Sequence, residues 1–364
     1  MKVFGIGCIY FGYKFDGEQI PPEIENFNVF CTDVKDRLET VESISGVTFN
    51  DIDTEYGNVA VVDEFDYQVA TPIPHGARAR ISFDVYIPFR VQETTIRLCD
   101  VEHLHVDIVY GYELPVAIVS YDWPDEEGDA TPSMAVALVR KFLDKRLSDD
   151  SFKCDCIGPS PFHANFTISE SSLDEGYFLR DRSDSTRGYS DIELVCPSGS
   201  SLIGAFYAAN LDDVFSSFYH LSDLRGRTIR SHTEITADAT MLLSAKNDEG
   251  PLSRFRSMRT QRKTIDSINS AVFKEMLFRM DIESALSEAA RSSNLAQSPL
   301  NPFFDEYRTL FAENRWGKFS EVAKFFEERN QKALSNITAV FAGVVGGVLG
   351  SVIGSLATYI LTKA

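Results

Sequence analysis

The segment GVVGGVLGSVIGSLATYIL, from Gly343 to Leu361, constrains this chain most, because it combines no charge with five glycines. From Ile337 to Leu361 there are 25 uncharged residues, mostly Val, Ile, Leu, Ala and Gly. As a helix such a run measures roughly 37 Å at about 1.5 Å per residue. A bilayer hydrocarbon core of about 30 Å needs roughly 20 such residues. A buried helix of a globular domain seldom stays apolar on every face for so long. The run is therefore read as a single transmembrane helix in a C-terminal tail, 336–364. The competing reading is a buried hairpin broken at Gly346-Gly347. Lys324, Arg329 and Lys332 precede the run as a positive flank, which orients the bulk of the chain toward the cytoplasm. The expectation is a tail-anchored, single-pass protein.

The glycines are regularly spaced. Gly346, Gly350 and Gly354 stand four apart, and Thr358 continues the row. Ala339, Gly343, Gly347, Ser351 and Ser355 form a second small-residue row beside it. Small residues let helix backbones approach closely in lipid, where packing drives association. The pattern resembles the glycine zipper of channel and pore-forming helices. That resemblance implies helix packing between subunits through Gly343, Gly346, Gly347, Gly350 and Gly354, hence a homo-oligomer. A plain Gly-rich anchor is the alternative.

Charge divides the remainder. Net charge is −19 over 364 residues. Residues 1–200 hold 16 Lys and Arg against 36 Asp and Glu, whereas 201–364 are nearly balanced. The acidic half is poorly suited to an anionic membrane or to nucleic acid. Six cysteines at 8, 31, 99, 154, 156 and 196 form no regular framework, and they read as ordinary reduced thiols.

Residues 1 to about 120 are rich in strand patterns, among them ARARISFDVYIPFRV and TTIRLCDVEHLHVDIVYG. The N-terminal apolar stretch reads as a buried first strand. SMAVALVRKFLDKRL (133–147) has helical spacing, and two further strands are expected before residue 200. The fold class is thus an α+β N-terminal domain (1–200) with a mostly antiparallel sheet. A helical region (201–335) with a basic stretch follows, then the tail.

Chemistry-bearing residues are few. EHLHVD puts His103, His105 and Asp107 on one side of a strand. An HxH pair with a carboxylate can ligate a metal, but no further ligands are evident and the set reads as a polar strand face. His163 lacks a marked nucleophile partner and reads as a structural or interface residue. No GxSxG, P-loop or GxGxxG is present, so no catalytic residue, metal or cofactor is assigned. The clearest feature is SRFRSMRTQRK, with Arg254, Arg256, Arg259, Arg262 and Lys263, joined by Arg225, Arg227 and Arg230. Arginine forks suit phosphate. A nucleotide or nucleic-acid ligand, ion pairs to the acidic half, and anionic lipid heads all remain open for it.

This arrangement resembles, in architecture only, the membrane effectors of bacterial anti-phage systems. The resemblance implies a ligand-regulated oligomer in the bacterial inner membrane, whose C-terminal helices form or gate a pore. A tail-anchored enzyme or adaptor is the alternative.

Overall fold

The structure is a computed structural model. It describes residues 2–332, apart from 15–26, 51–57, 63–68, 75–78, 93–100, 111–113, 124–130, 172–175, 187, 245–250, 293–297 and 313–316; beyond 332 it describes only Ser335, Thr338, Ala339, Ala342, Gly343 and Gly347. The chain divides into two units. One comprises Met1–Arg227 with Asp281–Leu310, the other Thr228–Met280 with Phe311–Ala364. The sheet unit therefore extends beyond the boundary expected at residue 200 and takes in helical sequence from two places.

In chain order the strands are β1 (Lys2–Gly7), β2 (Tyr10–Lys14), β3 (Ile44–Asn50), β4 (Asn58–Val62), β5 (Val69–Pro74), β6 (Ala79–Tyr86), β7 (His103–Tyr110), β8 (Val116–Asp122), β9 (Phe152–Asp155), β10 (Ala164–Ser171), β11 (Phe178–Thr186) and β12 (Tyr189–Pro197). The helices are α1 (Phe27–Glu39), α2 (Phe89–Gln92), α3 (Pro132–Leu147), α4 (Leu202–Ala208), α5 (Leu211–Ser244), α6 (Pro251–Ser292) and α7 (Asn301–Ala312). The large sheet runs β11-β12-β10-β1-β8-β7-β6-β3, and a smaller one runs β4-β5-β2-β9. Only β10 and β12 pair in parallel; the other described pairs are antiparallel.

Period-two alternation decides what each sheet face does. On one face Val3, Phe83, Val85, Leu104, Val106, Val119 and Tyr121 form a core with Phe30, Val34 and Leu38 of α1 and Ala135, Val136 and Val139 of α3. β1 has glycine at two positions on this face, Gly5 and Gly7, and α3 lies directly against them. Ser133 fixes the first turn of α3. Its backbone N–H donates to Asn165 Oδ1 at 3.3 Å, and its hydroxyl donates to the Ala164 carbonyl at 3.0 Å.

The other face is divided. Toward β1 and β10 it is covered by aromatic packing: Phe4 stacks on Phe166 at 5.0 Å, and Phe162 meets Phe215, Phe218 and Phe303 at 5.0, 4.8 and 4.6 Å. Each buried Phe of this kind stabilises by roughly 1.5–3 kcal/mol. Toward β7, β6 and β3 the same face carries polar side chains, and several of them are exposed.

The second unit has its own small core. Ile235, Ala239 and Leu242 of α5, Ile265 and Ile268 of α6, and Ala323 and Phe326 of a helix over 317–332 pack together. That last helix is amphipathic: Lys318, Glu321, Lys324, Glu327 and Glu328 are exposed.

The membrane expectation requires correction. Among the described residues no helix is long and apolar enough to cross a membrane. The transmembrane tail, tail-anchored topology, channel and pore, and placement in an inner membrane with a cytoplasmic domain all depended on such a helix, and they fall with it. An uncharged run is necessary for a spanning helix but not sufficient. Each glycine in a helix interior costs about 1 kcal/mol relative to alanine. Gly346, Gly350 and Gly354 lie outside the described residues. Gly343 and Gly347 are helical and exposed, and a Cβ at either would meet nothing within 4 Å.

Candidate functional site

The polar part of the sheet face is assembled by register. Across β6 and β7, Ser82 opposes Asp107, Asp84 opposes His105, and Tyr86 opposes His103. Across β7 and β8, His105 opposes Ser120. Lys2 opposes Asp122 across β1 and β8. Since these residues alternate with the core set, all point to the side away from α1 and α3. Lys2, Asp84, Tyr86, His103, His105, Ser120 and Asp122 border a cleft of about 690 Å³, to which Glu42, Ser45 and Arg90 also contribute; Ser82 and Asp107 do not line it.

His105 is held at both ring nitrogens. Nδ1 lies 2.8 Å from Asp84 Oδ1, and Nε2 lies 3.3 Å from Asp107 Oδ2. Asp107 is buried; it accepts from the Ser82 hydroxyl and lies 3.8 Å from Arg80 Nε. Two carboxylates flanking one ring favour the imidazolium. The bond to Asp107 raises the pKa of His105 most, burial lowers it, and the bond to Asp84 raises it further, with a net upward shift. For Asp107, burial pushes the carboxyl upward. The bonds from His105 and Ser82 and the charges of His105 and Arg80 together outweigh that and leave it below the usual carboxylate value.

The shorter contact is not the stronger influence. Asp84 is nearer, but its side chain is 64% exposed, against 6% for Asp107. Water screens the first carboxylate, whereas the second acts in lower dielectric. His105 is thus expected to titrate above about 6.5. Asp107→Asn should lower its midpoint more than Asp84→Asn does, as followed by the imidazole proton resonances. Equal shifts from both variants, or a larger one from Asp84→Asn, would contradict this ranking.

Two further features shape the cleft. β3 carries a bulge between Ser45 and Thr48, with Gly46 at φ +66°. A Cβ there would lie 3.3 Å from Asp84 Oδ2, so glycine serves both the left-handed backbone and the space for the carboxylate. At the end of β6, Glu102 accepts from the Phe89 N–H at 2.7 Å and from the Tyr86 hydroxyl at 3.1 Å. The buried Gln92 amide donates to the carbonyls of Ile87 and Val101 at 2.7 and 2.8 Å, tying α2 to the entry of β7. Tyr86 packs on His103 with ring centroids 4.8 Å apart.

The expected shared face of His103, His105 and Asp107 is present. Among the described residues no group of three or more His, Cys, Asp or Glu is placed to hold a metal ion. His163 is exposed and lies edge-on to Tyr189 at 5.7 Å. Asp84, Ser82 and Tyr86 were missed, although RISFDVY alternates them with core residues. Ser120 was missed because VAIVSYD reads as a buried strand throughout.

The basic residues are not gathered into one described site. Arg225 pairs with Glu306 at 2.7 Å and Arg227 with Asp223 at 2.7 Å, both within the sheet unit. Arg230, Arg254, Arg256, Arg259, Arg262 and Lys263 belong to the second unit. There Arg262 and Lys263 are exposed on α6, and the side chains of Arg254, Arg256 and Arg259 lie outside the description.

No family model and no curated protein matches this chain. Among solved structures, the chain is similar to the toxic C-terminal tip of CdiA from Pseudomonas aeruginosa, determined in complex with its immune protein. Identity is 13%, 44% of this chain and 89% of that chain are covered, and the TM-score is 0.19, a value that carries no argument about fold or activity.

Proposed function

We propose that this chain is a ligand-binding protein whose sheet unit receives a small polar molecule in the cleft bordered by Asp84, Tyr86, His105 and Ser120. The observation that carries the reading is Ser120. It is fully buried, it borders the cleft, and its hydroxyl has no hydrogen-bond partner among the described residues. An unmet buried hydroxyl costs about 1–3 kcal/mol, and a bound polar group would satisfy it. Binding is favoured over turnover because both nitrogens of His105 already have carboxylate partners. Neither is left to take a proton from a substrate.

The test is a screen of small polar molecules by protein-observed NMR, comparing the natural chain with Ser45→Trp. Ser45 is exposed at the mouth of the cleft, so a large ring there should block entry while leaving the spectrum of the core unchanged. Binders that shift the resonances of Tyr86 and His105, and lose affinity at least tenfold in Ser45→Trp, are expected. A screen yielding no binder sensitive to that substitution would remove the reading.

A further inference from the structure

We infer that two copies of this chain associate through the outward face of α6, antiparallel about a two-fold axis between Met276 and Leu277. The inference is independent of the cleft and of what it binds.

Phe273, Met276, Leu277 and Met280 are 62, 62, 46 and 68% exposed. They recur three and four residues apart within α6, so they form one stripe along the helix. Glu275 and Ile282, on the opposite side of the helix, are buried. A single exposed apolar residue is ordinary on a surface. Four contiguous ones expose roughly a few hundred Å², and such a patch rimmed by polar residues marks an interaction site. The rim here is Asn269, Ser270, Lys274, Asp281, Glu283 and Ser284, all exposed. The stripe consists of two adjacent rows, Phe273 with Leu277 and Met276 with Met280. Rows of this spacing leave a groove that receives the matching row of another helix.

The charges beside the stripe point to a second copy as the partner. Lys274 and Asp281 flank it on one side, two helical turns apart on the continuous α6. An axis between Met276 and Leu277 sets Phe273 of each copy opposite Met280 of the other. At about 1.5 Å per residue it also places Lys274 of one copy about 3 Å along the helix from Asp281 of the other, on the same side. Symmetry makes that ion pair twice, as a two-fold interface requires. A parallel pairing would set Lys274 against Lys274 and Asp281 against Asp281. On the other side of the stripe Arg279 and Glu283 stand one turn apart with opposite charge. The four flanking charges therefore sum to zero, and two such faces meet without net repulsion. The excess of acid lies in residues 1–200, whereas 201–364 are nearly balanced, so the half of the chain that holds α6 is the half with less self-repulsion.

The experiment uses the full chain. Sedimentation equilibrium gives the mass, and the methyl resonances of Met276 and Met280 are followed on dilution. A monomer–dimer equilibrium is expected, with both methyls shifting as the dimer forms. Met276→Glu should raise the dissociation constant about tenfold or more, because it places a charge at the centre of the contact. Met276 is exposed, so the fold is kept, and an unchanged melting temperature of the monomer checks this. A charge-swap series tests the geometry without touching the stripe. Lys274→Glu and Asp281→Lys should each weaken the dimer severalfold. The two together should restore it, since each new glutamate then meets a new lysine. A chain that stays monomeric up to about 1 mM overturns the inference. So does a dimer indifferent to Met276→Glu, or one that the double swap fails to restore. Methyls that hold one position at every dilution while showing nuclear Overhauser contacts to residues 337–361 would identify the chain's own uncharged run as the occupant, and that result also excludes the second copy.

Discussion

Asp107→Ala is expected to lower the unfolding free energy by about 2–4 kcal/mol near pH 6, read from urea denaturation. Asp107 accepts from Ser82, faces His105 Nε2 at 3.3 Å, and lies 3.8 Å from Arg80. Removing one member of a buried charged pair typically costs about 3–5 kcal/mol, because the charge left behind stays unpaired. The lower range applies here because the His105 side chain is 39% exposed and water relieves part of the loss. Asp107→Asn keeps an acceptor oxygen and should cost about 1 kcal/mol. The sign with pH follows from both groups. The pKa of His105 is raised in the fold, so its contribution is complete below its unfolded value of about 6.5 and fades as pH rises through the folded value. That of Asp107 is lowered, so its contribution is complete above its unfolded value of about 3.9 and fades as pH falls through the folded one. The gap between natural chain and Asp107→Ala should thus be widest between about pH 4 and 6.5 and narrower at pH 9. A gap that is flat or widens toward pH 9 would show that the charges do not couple.

Sequence pattern reveals some of this site and hides the rest for a physical reason. HLHVD shows period two within one strand, so the common face of His103, His105 and Asp107 could be read directly. Its partners lie 21 to 25 residues earlier on β6 for Asp84 and Ser82, and register between strands is set by turns and packing rather than by composition. The α+β class and the antiparallel sheet were legible because alternation and helical spacing are local. The placement of 202–227 and 281–310 with the sheet was not, because it depends on where aromatic side chains such as Phe215 and Phe303 find a surface to cover. The apolar tail misled in the other direction. Hydropathy summed along a run measures how much surface would prefer to leave water, and it does not say what that surface meets.

Gly5→Ala tests how tightly this scaffold is closed beneath the cleft. A Cβ at Gly5 would lie 2.3 Å from the Pro132 carbonyl oxygen, 2.6 Å from its carbon, and 2.9 Å from Val136 Cγ2. Two of these are backbone atoms, so no rotamer change removes the clash. Nor can α3 slide aside freely, since Ser133 anchors its first turn to Ala164 and Asn165. Overpacking of a core usually costs about 1–3 kcal/mol, and a backbone neighbour places this substitution at or above the top of that range. Gly226→Ala is the control: the glycine lies inside α5, where a Cβ would meet nothing within 4 Å, so a gain of about 0.5–1 kcal/mol is expected. The two substitutions make the same chemical change, and their opposite signs separate close helix–sheet contact from intrinsic helix preference. Gly5 pairs with Val119, next to Ser120, and its neighbour Phe4 pairs with Ser120 itself. Displacing β1 should therefore also disturb the wall of the cleft, and ligand affinity should fall in Gly5→Ala even where the chain remains folded. A Gly5→Ala protein of unchanged urea midpoint would show that α3 does not sit on β1 as closely as described.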